Sequence, residues 1–349
     1  MVKKSIKIVA AILIFLVLFF VAQEILVGNK DIRDQQRIEG FYEQKEDSLD
    51  AVFIGSSATY AFWMAPYAWM EYGITVYPYS TSSQPIQMAK YIMEETRKTQ
   101  PNSMFIVNLA SVQIEITNTN LHNLSDNMPS SLTKYQMIRD LTDQAGLNFS
   151  ESLEFYLPFV LYHERWSELG SNDFNPPEDL YKTGNTYETF LDSVEDVSDR
   201  LDGSEYYHPL DDSSYDALME LVDYCEQENI TVLFVVTPLS LTDETQLGMQ
   251  NAAVELVRSR GFDVLDMDDL SEEIGIDYKT DYYNGSHMNM HGSIKVTSYL
   301  SQYLIQNYGL QDKRGDSAYA DWDIASDRYY QEYLAPRLTE ADQEYFTVR

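Results

Sequence analysis

Apolar and polar positions change rhythm several times along the chain. AVFI (51–54) is a short apolar run that stops at Gly55, the mark of a strand buried on both faces. ITVYPYS (74–80), MFIVNLA (104–110), TVLFVV (231–236) and FDVLDM (262–267) repeat that pattern. Between them, apolar residues fall at helical spacing over 60–72, 84–98, 213–229, 245–260 and 290–308. In the second of these, Ile86, Ala89, Tyr91, Ile92 and Met93 are the inner positions. Strands alternating with helices predict a parallel five-stranded sheet in a three-layer α/β/α sandwich. The alternation lapses over 111–210, where helical stretches at 130–146 and 150–169 give way to a polar, Asp-rich segment. This reads as a helical insertion after the third strand. Its apolar stretch LEFYLPFVLYHERW (153–166) reads as packing of the insertion on the sheet, with a membrane-dipping or acyl-lining cap as the sharper alternative.

The N-terminus has a different rhythm. Lys3, Lys4 and Lys7 precede an uncharged apolar run from Ile8 to Ala22, which resumes at Ile25–Val27 after Gln23 and Glu24. The whole stretch is long enough for a bilayer-spanning helix. The alternative is a cleaved signal peptide, but Phe20 and Leu26 stand where a cut after Ala22 or Gly28 requires small residues, which favours an uncleaved anchor. Lysines stay on the cytoplasmic side, so the chain from about residue 29 is expected outside the membrane. The expected organisation is cytoplasmic lysines and anchor over 1–28, a short, polar helical stalk over 29–50, an α/β domain over 51–308 carrying the insertion 111–210, and a polar, aromatic, surface-wrapping tail over 309–349.

Composition narrows the function classes. The 349 residues are 44% hydrophobic, enough for a sizeable core, and the net charge is −32. That charge excludes a nucleic-acid binder working through a basic surface. One cysteine, Cys225, excludes an internal disulfide, a cysteine zinc cluster and an iron–sulfur centre; it lies in a helix of apolar spacing and reads as a buried small hydrophobe.

Two segments at expected strand ends carry chemistry. In VFIGSSATY (52–60) a serine pair follows a glycine at a strand-to-helix turn. That is where a nucleophile is presented, and where a serine also serves as an N-cap. In TDYYNGSHMNMHGSIKVT (280–297) a polar loop with two histidines enters a helix. A serine nucleophile needs a base that titrates near neutrality. Of the five histidines, His122 and His208 fall in segments that read as surface, and His163 in an aromatic helix, leaving His287 and His291. Their i, i+4 spacing suits a metal only with a third ligand; none is evident, so neither a metal nor another cofactor is expected. A flavodoxin-like nucleotide domain shares the sheet, but Gly-Ser-Ser is too short for a phosphate-cradling loop.

The two segments together resemble the SGNH/GDSL hydrolase superfamily. GSS (55–57) stands where that family has G-D-S, so Ser57 takes the nucleophile place and Ser56 the Asp place. The run from His287 through Lys295 resembles the H-L-N-x-x-G-x-x-K continuation of the family's membrane-anchored bacterial, DltD-like branch. STSSQ (80–84) resembles the block that contributes a second oxyanion donor, which places Ser82 or Ser83 there. The resemblance covers about 51–308. It departs in two places: Asn284 stands three before His287 where the family has Asp, and the G-x-N-D block is missing, with Asn108 lying inside the third strand segment. Asn284 can hold an imidazole through its carbonyl oxygen, and Asp281, six before His287, is the other candidate for that role. Asn108 is a candidate oxyanion donor or a polar strand end.

The resemblance implies an extracytoplasmic, membrane-anchored serine esterase or O-acyltransferase acting on a cell-envelope glycan or polymer through an acyl-serine. The alternative it carries is a catalytically degenerate relative that binds an envelope polymer or supports a membrane-bound O-acyltransferase.

Overall fold

A computed structural model describes residues 2–27, 32–170, 183–184, 193–201, 203 and 205–346. The polar part of the expected insertion lies mostly outside these residues.

The five apolar runs form one parallel sheet: β1 (Ala51–Gly55), β2 (Val76–Ser80), β3 (Met104–Asn108), β4 (Val232–Val236) and β5 (Val264–Asp266). Their order is β2-β1-β3-β4-β5. Gly55 pairs with Ser80, Ile54 with Val107 and Asn108 with Val235. Every residue of β1 to β4 is buried, as required when both faces of a sheet are covered. Strand order reverses direction between β1 and β3. In such sheets the ligand crevice opens at the carboxyl ends of the two strands flanking that reversal.

In chain order the helices are α1 (Val2–Leu26), α2 (Ile32–Tyr42), α3 (Ser57–Phe62), α4 (Ala65–Tyr72), α5 (Ala89–Thr96), α6 (Asn118–Ser125), α7 (Leu132–Gln144), α8 (Phe149–Tyr156), α9 (Phe159–Tyr162), α10 (Asp212–Gln227), α11 (Glu244–Ser259), α12 (Ser271–Ile274), α13 (Met290–Tyr308) and α14 (Ala320–Tyr329). Two expected helices are broken, each at a proline. The 60–72 stretch splits into α3 and α4 ahead of Pro66, which sits in the first turn of α4, where its missing N–H costs nothing. The 150–169 stretch breaks at Leu157, driven out of helical geometry by Pro158. It continues as α9 and a 3-10 turn, His163–Ser167.

Three further differences from the sequence reading bear on the site. Within the segment expected as a helical stalk, 29–50, residues 32–42 form α2, which packs on β2. Residues 34, 37, 38 and 41 make one helical stripe of α2, and Ile38 and Phe41 are fully buried along it, with the Phe41 ring edge-on to Tyr77 and Tyr79 of β2. The loop 280–289 contains an antiparallel hairpin, β6 (Tyr282–Asn284) and β7 (His287–Met288). The tail after 309 is more than a polar wrap: Tyr329, Leu334 and Phe346 build a second apolar cluster with Met64, Tyr67, Met290 and Ile294. Cys225 is buried in the main core with its Sγ 3.7 Å from Met93 Sδ, and burial pushes its thiol up to about 12.

α1 is apolar over Ser5–Gln23, and none of that stretch is buried by the rest of the protein. It is long and apolar enough to cross a membrane; a signal sequence passes the same test.

Candidate active site

The site is built on the turn after β1. A side chain at Gly55 would bring its Cβ within 2.2 Å of Thr59 Oγ1 and 2.8 Å of the Asn108 Cβ, so only glycine lets α3 start so close to β3. Ser56 takes the N-cap position of α3 but its hydroxyl makes no capping bond, which removes capping as the reason for that serine. Ser57 is the first residue of α3 and half-buried. Among the described residues its hydroxyl makes no hydrogen bond, to His287 included.

The hairpin brings His287 to α3. β7 packs directly against α3, and the Tyr282 ring meets Phe62 of that helix edge-on, centroids 6.3 Å apart. The Tyr282 hydroxyl bonds the Pro238 carbonyl, and Ser240 N–H donates to the Gly285 carbonyl at 2.9 Å. Both anchor the hairpin over the carboxyl end of β4.

Asn284 sets the state of the imidazole. Its Oδ1 accepts the backbone N–H of Ser286 at 2.9 Å and lies 2.9 Å from His287 Nδ1. A backbone N–H can only donate, so the Asn284 atom at this point is the oxygen, and the Nδ1 facing it carries the ring proton. Nε2 is then an unprotonated acceptor, the tautomer a general base requires. Burial pushes the imidazole down to about 4, so it is neutral at pH 7.

Asp281, the other candidate for orienting His287, is committed elsewhere. Its Oδ2 accepts from Lys295 Nζ at 2.8 Å and from the Asp277 N–H at 2.8 Å. The rest of the His287–Lys295 motif serves this same junction. Asn289 caps α13 through the amides of His291 and Gly292, and its Nδ2 donates to the Thr280 carbonyl at 2.7 Å. Gly292 lies so close to Asp281 that a Cβ would fall 2.4 Å from its backbone oxygen. The motif fastens the hairpin to α13, and Ser293 ties α13 to the Ala61 carbonyl of α3 at 2.7 Å. His291 turns away to Asp342, Nδ1 to Oδ1 2.7 Å, so the two histidines share neither a helix nor a focus. Among the described residues no group of three or more His, Cys, Asp or Glu side chains is placed to hold a metal.

The candidate oxyanion residues separate. Ser82 N–H donates to Asp34 Oδ2 at 2.8 Å, and Ser82 Oγ lies 3.1 Å from the Tyr60 hydroxyl. Ser83 is exposed and takes a left-handed conformation, φ 52°. Asn108 is buried at the end of β3. Its Nδ2 donates to Thr237 Oγ1 at 3.1 Å, with Thr59 Oγ1 at 3.5 Å, while its Oδ1 accepts from the Ala110 N–H. It joins β3, α3 and the end of β4 beneath the site, and also caps the 3-10 turn after β3.

A buried ion pair beside the site was not anticipated. Asp34 and Arg37 of α2 are 2.7 Å apart and both about 1% exposed. Arg37 donates to the Ser80 carbonyl at 2.8 Å and stacks on the Tyr60 ring at 3.8 Å. Together the pair and Tyr60 fix the loop after β2 against α3, one turn from Ser57. The available signal was two charges lying in the same helical stripe as Ile38 and Phe41.

The other histidines are settled by their neighbours. His163 and His208 are exposed. His122, expected at the surface, is half-buried, stacked on Phe155 at 4.1 Å and between Asp126 (3.1 Å) and Glu154 (3.4 Å). Burial pulls its pKa down, but the two carboxylates outweigh burial and the net shift is upward.

No family model, curated protein or solved structure matches this chain.

Proposed function

We propose that the protein is a membrane-anchored serine esterase or O-acyltransferase of SGNH type, working outside the cytoplasm on an acylated glycan or polymer of the cell envelope. The observation that carries the reading is the Asn284–His287 contact: it fixes the tautomer in which Nε2 is the accepting nitrogen, on a hairpin packed against the helix that Ser57 begins. Support also comes from the position of Ser57 at the β1/β3 reversal, where such sheets bind ligands.

In the proposed reaction Ser57 Oγ attacks an acyl carbonyl and its proton passes to His287 Nε2. The carbonyl carbon gains the Ser57 Oγ bond, and the alcohol leaves with the proton that His287 returns. The Ser57 backbone N–H holds the developing oxyanion. Ser82 is a poor second donor, since its own amide serves Asp34, and Asn108 is tied up in the strand ends. Water regenerates Ser57 in an esterase, and a sugar hydroxyl does so in a transferase. The bond from Ser57 to His287 forms when substrate closes the site, as is common for catalytic contacts that are open in the free enzyme.

A second reading has its own support. Asn284 brings no negative charge to the imidazolium that attack creates, and Asp281 is bound to Lys295. In a serine protease exchanging the orienting Asp for Asn costs about 10⁴ in turnover through the wrong tautomer; Asn284 avoids that fault but leaves the charge missing. A degenerate relative that binds an envelope polymer, or assists a membrane-bound acyltransferase, fits that deficit.

Intact mass spectrometry after incubation with an activated acetyl ester separates the two. An enzyme accumulates one acetyl group, which maps to Ser57 and disappears in Ser57→Ala. A folded protein that acquires no acyl group at Ser57 is the binding module.

A further inference from the structure

The polypeptide between β3 and β4 returns to the N-terminal helix. The Phe159 ring of α9 lies against Phe19 of α1, centroids 5.4 Å apart. A few residues on, Arg165 donates to the Leu26 carbonyl at 2.9 Å, closing the last turn of α1. The short stretch between these two contacts presents Val160 and Leu161 to solvent, each 44% exposed, and just beyond them Trp166, 73% exposed.

Position along α1 gives this exposure a meaning. The apolar stretch of α1 ends at Gln23, and Phe19 lies four residues, about 6 Å, inside that end. Interfacial segments settle about 5–10 Å into the boundary between headgroups and acyl chains. Arg165 meets α1 three residues beyond Gln23, at headgroup level, where an arginine is well placed. Tryptophan is the side chain enriched at that depth.

We propose that Pro158–Ser167 is a second membrane contact, a foot that dips into the outer face of the bilayer beside α1 and rests Val160, Leu161 and Trp166 on lipid. The occupant is the lipid surface itself, because the patch is continuous with the exposed apolar flank of α1. The inference rests on reading α1 as a bilayer-spanning anchor. It adds a fixed height and tilt for the site. The Tyr162 hydroxyl bonds Asp126 Oδ2 at 2.7 Å, and Asn123 of α6 donates to the Ser82 carbonyl at 3.4 Å. The foot is thereby linked through α6 to the loop after β2, so the crevice is held close to the membrane surface, within reach of a lipid-linked or wall-proximal polymer.

Tryptophan fluorescence of the full-length chain in phospholipid vesicles tests this. Trp63, Trp69 and Trp322 are buried, so Trp166 dominates any contact quenching. Lipids brominated near the top of the acyl chain should quench the emission, aqueous iodide should not, and Trp166→Phe should remove the bromolipid effect. Val160→Asp with Leu161→Asp should return Trp166 to iodide. Flotation of the same vesicles reports the anchor separately. Protein that floats while Trp166 answers to iodide, or to neither quencher, overturns the foot and leaves the anchor standing. Protein that does not float overturns both. Acylation of Ser57 is unaffected by either outcome, so the catalytic reading fails or survives on its own.

Discussion

The proton of His287 sits on Nδ1 because one oxygen serves two donors. Asn284 Oδ1 takes the Ser286 amide and the imidazole together, a cheap way to orient a base without a buried charge. The cost is an imidazole pushed down to about 4 by burial, from an ordinary value of 6.5. Between those values the unfolded chain binds the proton and the folded chain does not. Stability therefore falls as pH drops through that window and recovers as pH rises. Asn284→Asp should reverse the shift. A carboxylate at that distance raises an imidazole by about 1–3 units, so the acid limb of Ser57 acylation should move upward by that amount while the rate above it increases. Acylation kinetics against pH check this; an unmoved acid limb would detach His287 from the reaction. Sequence gave good access to this scale where local spacing decides geometry, as with Asn284 three before His287. It gave poor access where a turn intervenes: Asp281 was a candidate only if the Tyr-Tyr-Asn-Gly turn folded it back, and its carboxylate is instead bonded to Lys295, fourteen residues on.

At the scale of elements, the hairpin is the part most dependent on distant partners. Asp281 is 2% exposed and its charge is met by Lys295 of α13. Lys295 is itself 19% exposed and the Asp277 N–H still serves the carboxylate, so Lys295→Met should destabilise the protein by about 1–3 kcal/mol. Denaturant unfolding measures the loss, and amide exchange should show β6 and β7 opening first. His122 plays a comparable role in the segment after β3, joining α6 to α8 through Asp126 and Glu154. Its pKa is raised in the folded state, so its contribution is complete below about 6.5 and is lost as pH rises through the folded value. Amide protection of α8 should weaken across that rise, and His122→Gln should abolish the pH dependence. The strands of the sheet were readable from apolar runs because burial on both faces leaves an unbroken signature. The hairpin was not, since its Tyr-Tyr-Asn-Gly-Ser-His sequence is polar and its register comes from contacts with Pro238, Ser240 and α3 rather than from alternation. The splits at Pro66 and Pro158 could have been placed from the prolines alone.

For the whole molecule, the segments outside the sheet do most to shape the site. α2 brings the Asp34–Arg37 pair to the end of β2, and the chain after 309 closes a second cluster over α4 and α13. Both were expected to be peripheral, because charge and polarity dominate their composition, and a helix that buries only one narrow stripe looks solvated from sequence. The long N-terminal helix was legible for the opposite reason, since an uncharged apolar run is enough to write it. The net charge of the whole chain, −32, favours standing away from acidic lipid; the proposed anchor and foot would hold one edge down against that repulsion.

Catalysis as proposed requires that His287 activate Ser57. Labelling of the folded, full-length protein with a fluorophosphonate probe at neutral pH tests that most directly. The expected result is a single adduct at Ser57, absent in Ser57→Ala and formed about 10²–10⁴ times more slowly in His287→Ala. Folded protein that stays unlabelled, or that labels equally fast without the imidazole, would contradict it.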